Sequence, residues 1–176
     1  MIGAESPDEG CALDIGCGDG RYHPFYNSPV VGFDIRRSRK DMVVGVAGAL
    51  PFKSESFCFA TSFQCYYYIE DIDQAVAELY RILKQGACAI LSLSSFRYLR
   101  REQRLNRQVA QVLSHKEWGK VFERGGFSLC PLDVPARYNG TWAWAENIPA
   151  RLLSPYHFFK LRKECLSSCS ALLLSD

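Results

Sequence analysis

The feature that most constrains this chain is the run Leu13-Asp14-Ile15-Gly16-Cys17-Gly18-Asp19-Gly20. The apolar stretch from Cys11 to Ile15 reads as a short buried strand, and it runs directly into glycine at every second position. A backbone that turns sharply and brings its amides close to a ligand needs residues without a Cβ there. Two phosphate-binding loops compete for this pattern and both fit poorly. A dinucleotide fingerprint requires a small residue three after its second glycine, where this chain has Arg21. A P-loop requires Gly-Lys-Ser/Thr, which does not follow.

The rest of the chain alternates strand-like and helix-like segments, the pattern of a parallel sheet covered by helices. Strands are expected at Val30 to Asp34, Asp41 to Val46, Phe57 to Phe63, Ala87 to Leu93, Phe127 to Val134 and Tyr156 to Leu161. Val76, Leu79, Tyr80 and Leu83 make one apolar stripe on a helix over Asp73 to Leu83, with Gly86 as its C′ glycine. Leu105, Val109, Val112 and Leu113 predict a second long helix over Leu99 to Leu113. Ser114-His115-Lys116-Glu117 is a capping box opening a third, which carries Trp118 and Phe122 and stops at Gly125-Gly126. Pro24 leaves only a stub of a helix between Arg21 and Pro29, and Arg36 to Asp41 is too short for one.

Length and composition bound the reading. A chain of 176 residues suits one domain over 1–176, with about 164–176 as a loose tail. A net charge of +2 does not favour nucleic acid as a partner. Residues 1–10 carry three acids and no apolar core, so no signal peptide is expected, and no apolar run has the length of a membrane span. A cytoplasmic protein follows as the default. The eight cysteines include no C-x-x-C pair, so neither a metal site nor a disulfide framework is expected. Cys58, Cys65 and Cys88 fall in or beside apolar runs and are expected as buried free thiols.

Five segments, in order, resemble the type-11 family of class I methyltransferases, which use S-adenosylmethionine (SAM). Leu13 to Gly20 resembles its first motif, and Val31-Gly32-Phe33-Asp34-Ile35 its second strand, which ends in an acid. Ala49-Leu50-Pro51-Phe52 with Ser56-Phe57 resembles its "LPF…SF" stretch. Ala77 to Gly86 resembles its "E-x-x-R-x-L-K-P-G-G" helix end, and Phe122 to Phe127 the entry to its sixth strand. The resemblance implies a Rossmann-like three-layer α/β sandwich: a seven-stranded, mostly parallel sheet with an antiparallel last strand, here with trimmed helices. It also implies residue roles. Gly16, Cys17 and Gly18 would carry the backbone past the methionine part of SAM, and Asp14 would hold that loop. Asp34 would accept both ribose hydroxyls. Ile35, Ala47 and Leu50 would flank the adenine, and Phe63 and Gln64 would lie beside the sulfonium.

The chain departs from the family at named positions. Val46 stands where an acid or amide usually holds the adenine amine, a loss worth about 0.5–1.5 kcal/mol. Cys58 replaces the aspartate of "SFD". Tyr66, Tyr67 and Tyr68 occupy the acceptor side where many relatives carry a Glu-His or His-His pair, and no residue stands out as a catalytic base. Methyl transfer chiefly needs alignment of donor and acceptor, so a base is required only for a poor nucleophile. His23 and His157 read as structural or exposed. The loop from Tyr138 to Pro149, with Trp142 and Trp144, either closes over an apolar or sugar-type acceptor or tucks onto the sheet. Arg97, Arg100, Arg104 and Arg107 share one helical face, which meets either solvent or an anion. The leading expectation is a methyltransferase acting on a small-molecule, lipid or sugar-type acceptor and releasing S-adenosylhomocysteine. The runner-up is a catalytically decayed module that binds a partner protein.

Overall fold

The computed structural model describes residues 2–105, 108–132 and 156–164. In chain order the elements are α1 (Ile2–Glu5), β1 (Ala12–Ile15), β2 (Val30–Asp34), β3 (Met42–Val44), β4 (Phe57–Phe63), α2 (Ile72–Ile82), β5 (Leu83–Ser94), α3 (Phe96–Arg104), α4 (His115–Arg124), β6 (Phe127–Cys130) and β7 (Tyr156–Lys163). Short 3₁₀ turns cover His23–Phe25 and Tyr66–Tyr68. The strands form one seven-stranded sheet in the order β3-β2-β1-β4-β5-β7-β6. All pairs are parallel except those of β7, which runs antiparallel to both β5 and β6. This is the expected α/β class with its antiparallel last strand.

The two faces of the sheet are covered unequally. On one side the inward residues of β1, β4 and β5 (Leu13, Ala60, Ala89, Leu91) pack under Val76 and Leu79 of α2 and Trp118 and Phe122 of α4. Asp71 caps α2 by accepting the Gln74 amide, and the capping box of Ser114 and Glu117 has both its bonds. On the other side a thin layer of Ile2 from α1 and Tyr26 covers Ala12, Phe59 and Ile90. Only the single 3₁₀ turn lies between β1 and β2, and no helix lies between β2 and β3. This thin layer leaves a buried acid of β1, Asp14, under very little protein.

Three expectations about the elements are corrected. Gly86 does not cap α2, because Leu83 is already extended and β5 begins there. It lies instead at an irregularity where Phe57 faces Leu83 but Phe59 faces Cys88, and it takes a φ of 75° to absorb the excess residues. The helix expected over Leu99 to Leu113 is α3, which starts earlier and ends at Arg104. Residues 108–114 are irregular because their polar groups are used elsewhere. The Ala110 and Gln111 amides both donate to the Tyr67 carbonyl at 3.0 Å, and the Gln111 side chain donates to the Ile69 and Glu70 carbonyls. Cys58, Cys65 and Cys88 are half-buried, and among the six described cysteines, all free, only Cys17 is buried. The Tyr138–Pro149 loop, Arg107, Val134 and the tail beyond Glu164 lie outside the described residues.

Candidate functional site

The strand order reverses direction at β1, which has β2 on one side and β4 on the other. In open α/β sheets that reversal opens a crevice beyond the carboxyl ends of the strands, where ligands bind. The glycine loop sits at this point. The Gly16 and Cys17 amides both donate to the Phe33 carbonyl, at 2.7 and 3.1 Å, so the loop stays locked to β2 as it leaves the sheet. Gly16, Gly18 and Gly20 have φ values of 74°, 53° and 71°. A Cβ on Gly16 would meet the Cys65 Cβ at 2.6 Å, whereas one on Gly18 would meet nothing within 4 Å. Gly16 is thus required by packing, and Gly18 faces open space.

Asp34, at the end of β2, closes the loop from the other side. Its Oδ2 accepts the Gly18 amide at 2.9 Å and its Oδ1 the Arg36 amide at 3.1 Å. Each carboxylate oxygen accepts two hydrogen bonds, so one position on each remains for a diol. Ser38 adds a short contact from its hydroxyl to the Gly18 carbonyl. Beside Asp34, Ile35 and Val46 are 67% and 53% exposed. Two exposed apolar side chains at the strand ends form a surface suited to a flat base. Ala47 and Leu50 pack inward against the main core.

The segment from Val46 to Phe52 is tied down from α2. Glu78 accepts the Leu50 amide at 2.8 Å, and Arg81 donates to the Leu50 and Phe52 carbonyls at 3.0 and 2.7 Å. Arg81 also grips Glu78 through two bonds of 2.7 and 2.9 Å. This is a physical reason for an acid and an arginine three residues apart at the end of that helix: one side chain takes the loop's N–H and the other its carbonyls. Neither role can be read from the E-x-x-R spacing alone.

Asp14 points to the thinly covered face and is 1% exposed. Its Oδ1 accepts the Thr61 hydroxyl at 2.9 Å, and Thr61 in turn makes a short contact with the Tyr26 hydroxyl. Its Oδ2 has no hydrogen-bond partner and lies 3.4 Å from His23 Nε2. His23 was expected to be structural or exposed. It is the residue whose ring closes over this acid, and Gly32 makes room, since a Cβ there would meet the His23 ring at 3.0 Å. Burial holds the Asp14 carboxyl above the usual aspartate range. The unfolded chain therefore gives up its proton first as pH rises, and folded stability falls between the ordinary value and the raised one. Asp14→Asn should escape this loss. The variant is expected to match wild type in urea at pH 3 and to be the more stable of the two at pH 7. A gap that fails to open with pH would show that Thr61 and His23 offset the burial completely.

At the tip of β4, Phe63 pairs with Tyr22 at 4.8 Å. Gln64 has a φ of 56°, unusual for a residue with a side chain. Both ends of its amide group are used: it donates to Ser92 Oγ at 3.0 Å and accepts from Tyr67 at 3.2 Å and from Ser94 through a short contact. Gln64 thus ties the ends of β4 and β5 together. Of the three tyrosines, Tyr66 is fully buried, Tyr67 nearly so, and Tyr68 is 54% exposed. Burial raises the Tyr66 and Tyr67 phenols well above their ordinary value, so neither serves as a base. The Cys17 and Cys65 thiols are each pushed up to about 11 by burial, so neither is a thiolate nucleophile at neutral pH. His157 lies on β7 with its ring 5.1 Å from that of His115.

The sheet order and the glycine loop give the domain the fold of the class I methyltransferases, enzymes that use S-adenosylmethionine. Residues 13–91 match the family model described as "Methyltransferase domain". An uncharacterized protein of Methanocaldococcus jannaschii is 33% identical over 104 residues, which cover 54% of this chain and 41% of that protein. The chain thus spans less than half the length of that curated relative. Among solved structures, the Haloferax volcanii methyltransferase in complex with the Trm112 methyltransferase activator aligns with a TM-score of 0.70 at 18% identity, covering 93% of this chain and 88% of that one. A SAM-dependent methyltransferase of Mesorhizobium loti aligns with a TM-score of 0.68 at 16% identity, covering 92% and 95%. At these identities the structural likeness speaks for the fold. No described helix is long and apolar enough to cross a membrane.

Proposed function

We propose that the chain, as one domain over 1–176, transfers a methyl group from SAM to a small-molecule, lipid or sugar-type acceptor. The observation that carries this reading is the pairing of the glycine loop with Asp34, whose two oxygens each keep a free lone pair at the mouth of the crevice. The residues present fit the cofactor. Gly16, Cys17 and Gly18 pass the methionine part, and Asp14 lies at the end of the strand that leads into the loop. Asp34 takes the ribose and Ile35 packs on the adenine, while Ala47 and Leu50 back that surface from the core side. Phe63 and Gln64 border the reacting end. When bound, SAM supplies an activated methyl group on a good leaving group, so the chain's task is to orient and to exclude water. The buried phenols and thiols around the site offer no base at neutral pH, which favours an acceptor that is itself a good nucleophile.

A second reading, favoured by the Trm112 complex of the Haloferax relative, is a domain that works only with a partner protein. Titration calorimetry separates them, with SAM, S-adenosylhomocysteine and NAD as ligands. Binding of the first two but not NAD is expected. SAM at ~100 times its dissociation constant should stabilise the fold by about 2.7 kcal/mol. A folded protein that binds none of the three would sink the enzyme reading for the isolated chain.

A further inference from the structure

The arginines of α3 are not absorbed by the cofactor site. Arg97, Arg100, Arg101 and Arg104 line one shallow pocket together with Phe96, and all four are exposed. At 100° per residue they fall within an arc of about 100°, and Glu102 lies about 140° round from Arg97, off that face. Among the described residues none of the four forms an ion pair, and Arg100 only stacks on the Phe96 ring at 5.9 Å. Elsewhere in the chain arginines find carboxylates readily, as Arg21, Arg39, Arg81 and Arg124 do. Four guanidinium groups converging on one concavity without a counter-ion repel one another, and a multiply charged anion removes that cost.

The place of the pocket gives it a use. Ser95 caps α3 directly after β5, so the helix rises from the same carboxyl edge that carries Gln64 and Ser94. Tyr98, 45% exposed, stands on this helix and is close enough to Tyr67 to act on its phenol electrostatically. We infer that the pocket of Arg97, Arg100, Arg101 and Arg104 binds a phosphate monoester or diphosphate group of the methyl acceptor. This rests on the methyltransferase reading for the word acceptor, though the anion site itself does not. A carboxylate needs one guanidinium fork. Four forks over two turns of helix suit a group of charge −2 or more, and a chain with a net charge of only +2 does not favour a long polyanion.

The test is calorimetry on the full chain with inorganic pyrophosphate, in wild type and in Arg97→Gln/Arg100→Gln/Arg104→Gln, with SAM titrated separately into both. Saturable binding of pyrophosphate is expected, weakened about a hundredfold or more in the variant, at roughly tenfold per lost charged contact. SAM affinity should be the same in both proteins, which also shows that the variant is folded. Flotation with phosphatidic acid vesicles then distinguishes a lipid headgroup from a soluble phosphate ester; either keeps the inference. Wild-type protein that binds SAM but not pyrophosphate overturns it. So does a single-stranded oligonucleotide that binds far more tightly than pyrophosphate with a steep salt dependence, since that is the behaviour of a nucleic-acid surface. Pyrophosphate binding without SAM binding keeps the anion site and overturns the methyltransferase reading instead.

Discussion

Asp34→Ala should weaken SAM binding by about a hundredfold or more while leaving the protein folded. The size follows from two charge-assisted hydrogen bonds to the ribose at about 1.5–3 kcal/mol each, against 1.4 kcal/mol per factor of ten. The substitution also releases the Gly18 and Arg36 amides. Both lie at the surface side of the loop, so water can replace the carboxylate and the fold loses little. Calorimetry with SAM, beside a thermal melt without ligand, separates the two effects. Asp19→Ala is the control, because Asp19 is an exposed acid of the same loop that is paired only with Arg21. An unchanged affinity in Asp34→Ala would remove the ribose role and with it the main support for the cofactor reading.

How much of this was legible from residues alone depended on whether the signal was local. Buried parallel strands are apolar on both faces, so β2, β4 and β5 stand out as runs. Pro24 and the brevity of 36–41 marked the missing helices for the same local reason. The misplaced helix shows the opposite case. Leu105, Val109 and Val112 have helical spacing, and Val109 is indeed buried, but the surrounding amides bond to Tyr67 across the chain. Periodicity reports which residues are apolar and says nothing about where backbone groups find partners. α1, at four residues, is too short to carry any periodic signal.

The site divides along the same line. The glycines and Asp34 lie within short motifs and could be read as such. The work of Glu78 and Arg81 could not, because it needs the loop from Val46 to Phe52 to come back against α2. His23 was harder still. Its closeness to Asp14 arises because Asp14 sits opposite Gly32 in the sheet, and the missing Cβ of Gly32 admits the ring. Such a contact depends on strand register, which no spacing in a single sequence encodes. Gln64 was placed at the strand tip correctly by position, but its use as a clamp on Ser92, Ser94 and Tyr67 depends on the pairing of β4 with β5.

Gly16→Ala should lower stability by about 2–5 kcal/mol, the sum of about 1–2 for a left-handed residue with a side chain and about 1–3 for overpacking. For a domain of this size that is a fall in the thermal midpoint of roughly 5–15 °C. The new methyl would sit 2.6 Å from the Cys65 Cβ and 2.7 Å from its Sγ. Cys65 cannot withdraw easily, since it follows the tip of β4 and caps the Tyr66–Tyr68 turn, where Tyr66 is buried. Gly18→Ala shares the positive φ but meets nothing, so it should cost only about the 1–2 kcal/mol of backbone strain. The difference between the two variants therefore measures the packing part alone. Gly16→Ala with Cys65→Gly should fall to the level of Gly18→Ala plus the cost of the second glycine. If Gly16→Ala and Gly18→Ala melt together, the strand tip yields to the methyl group and the loop is softer than its contacts indicate.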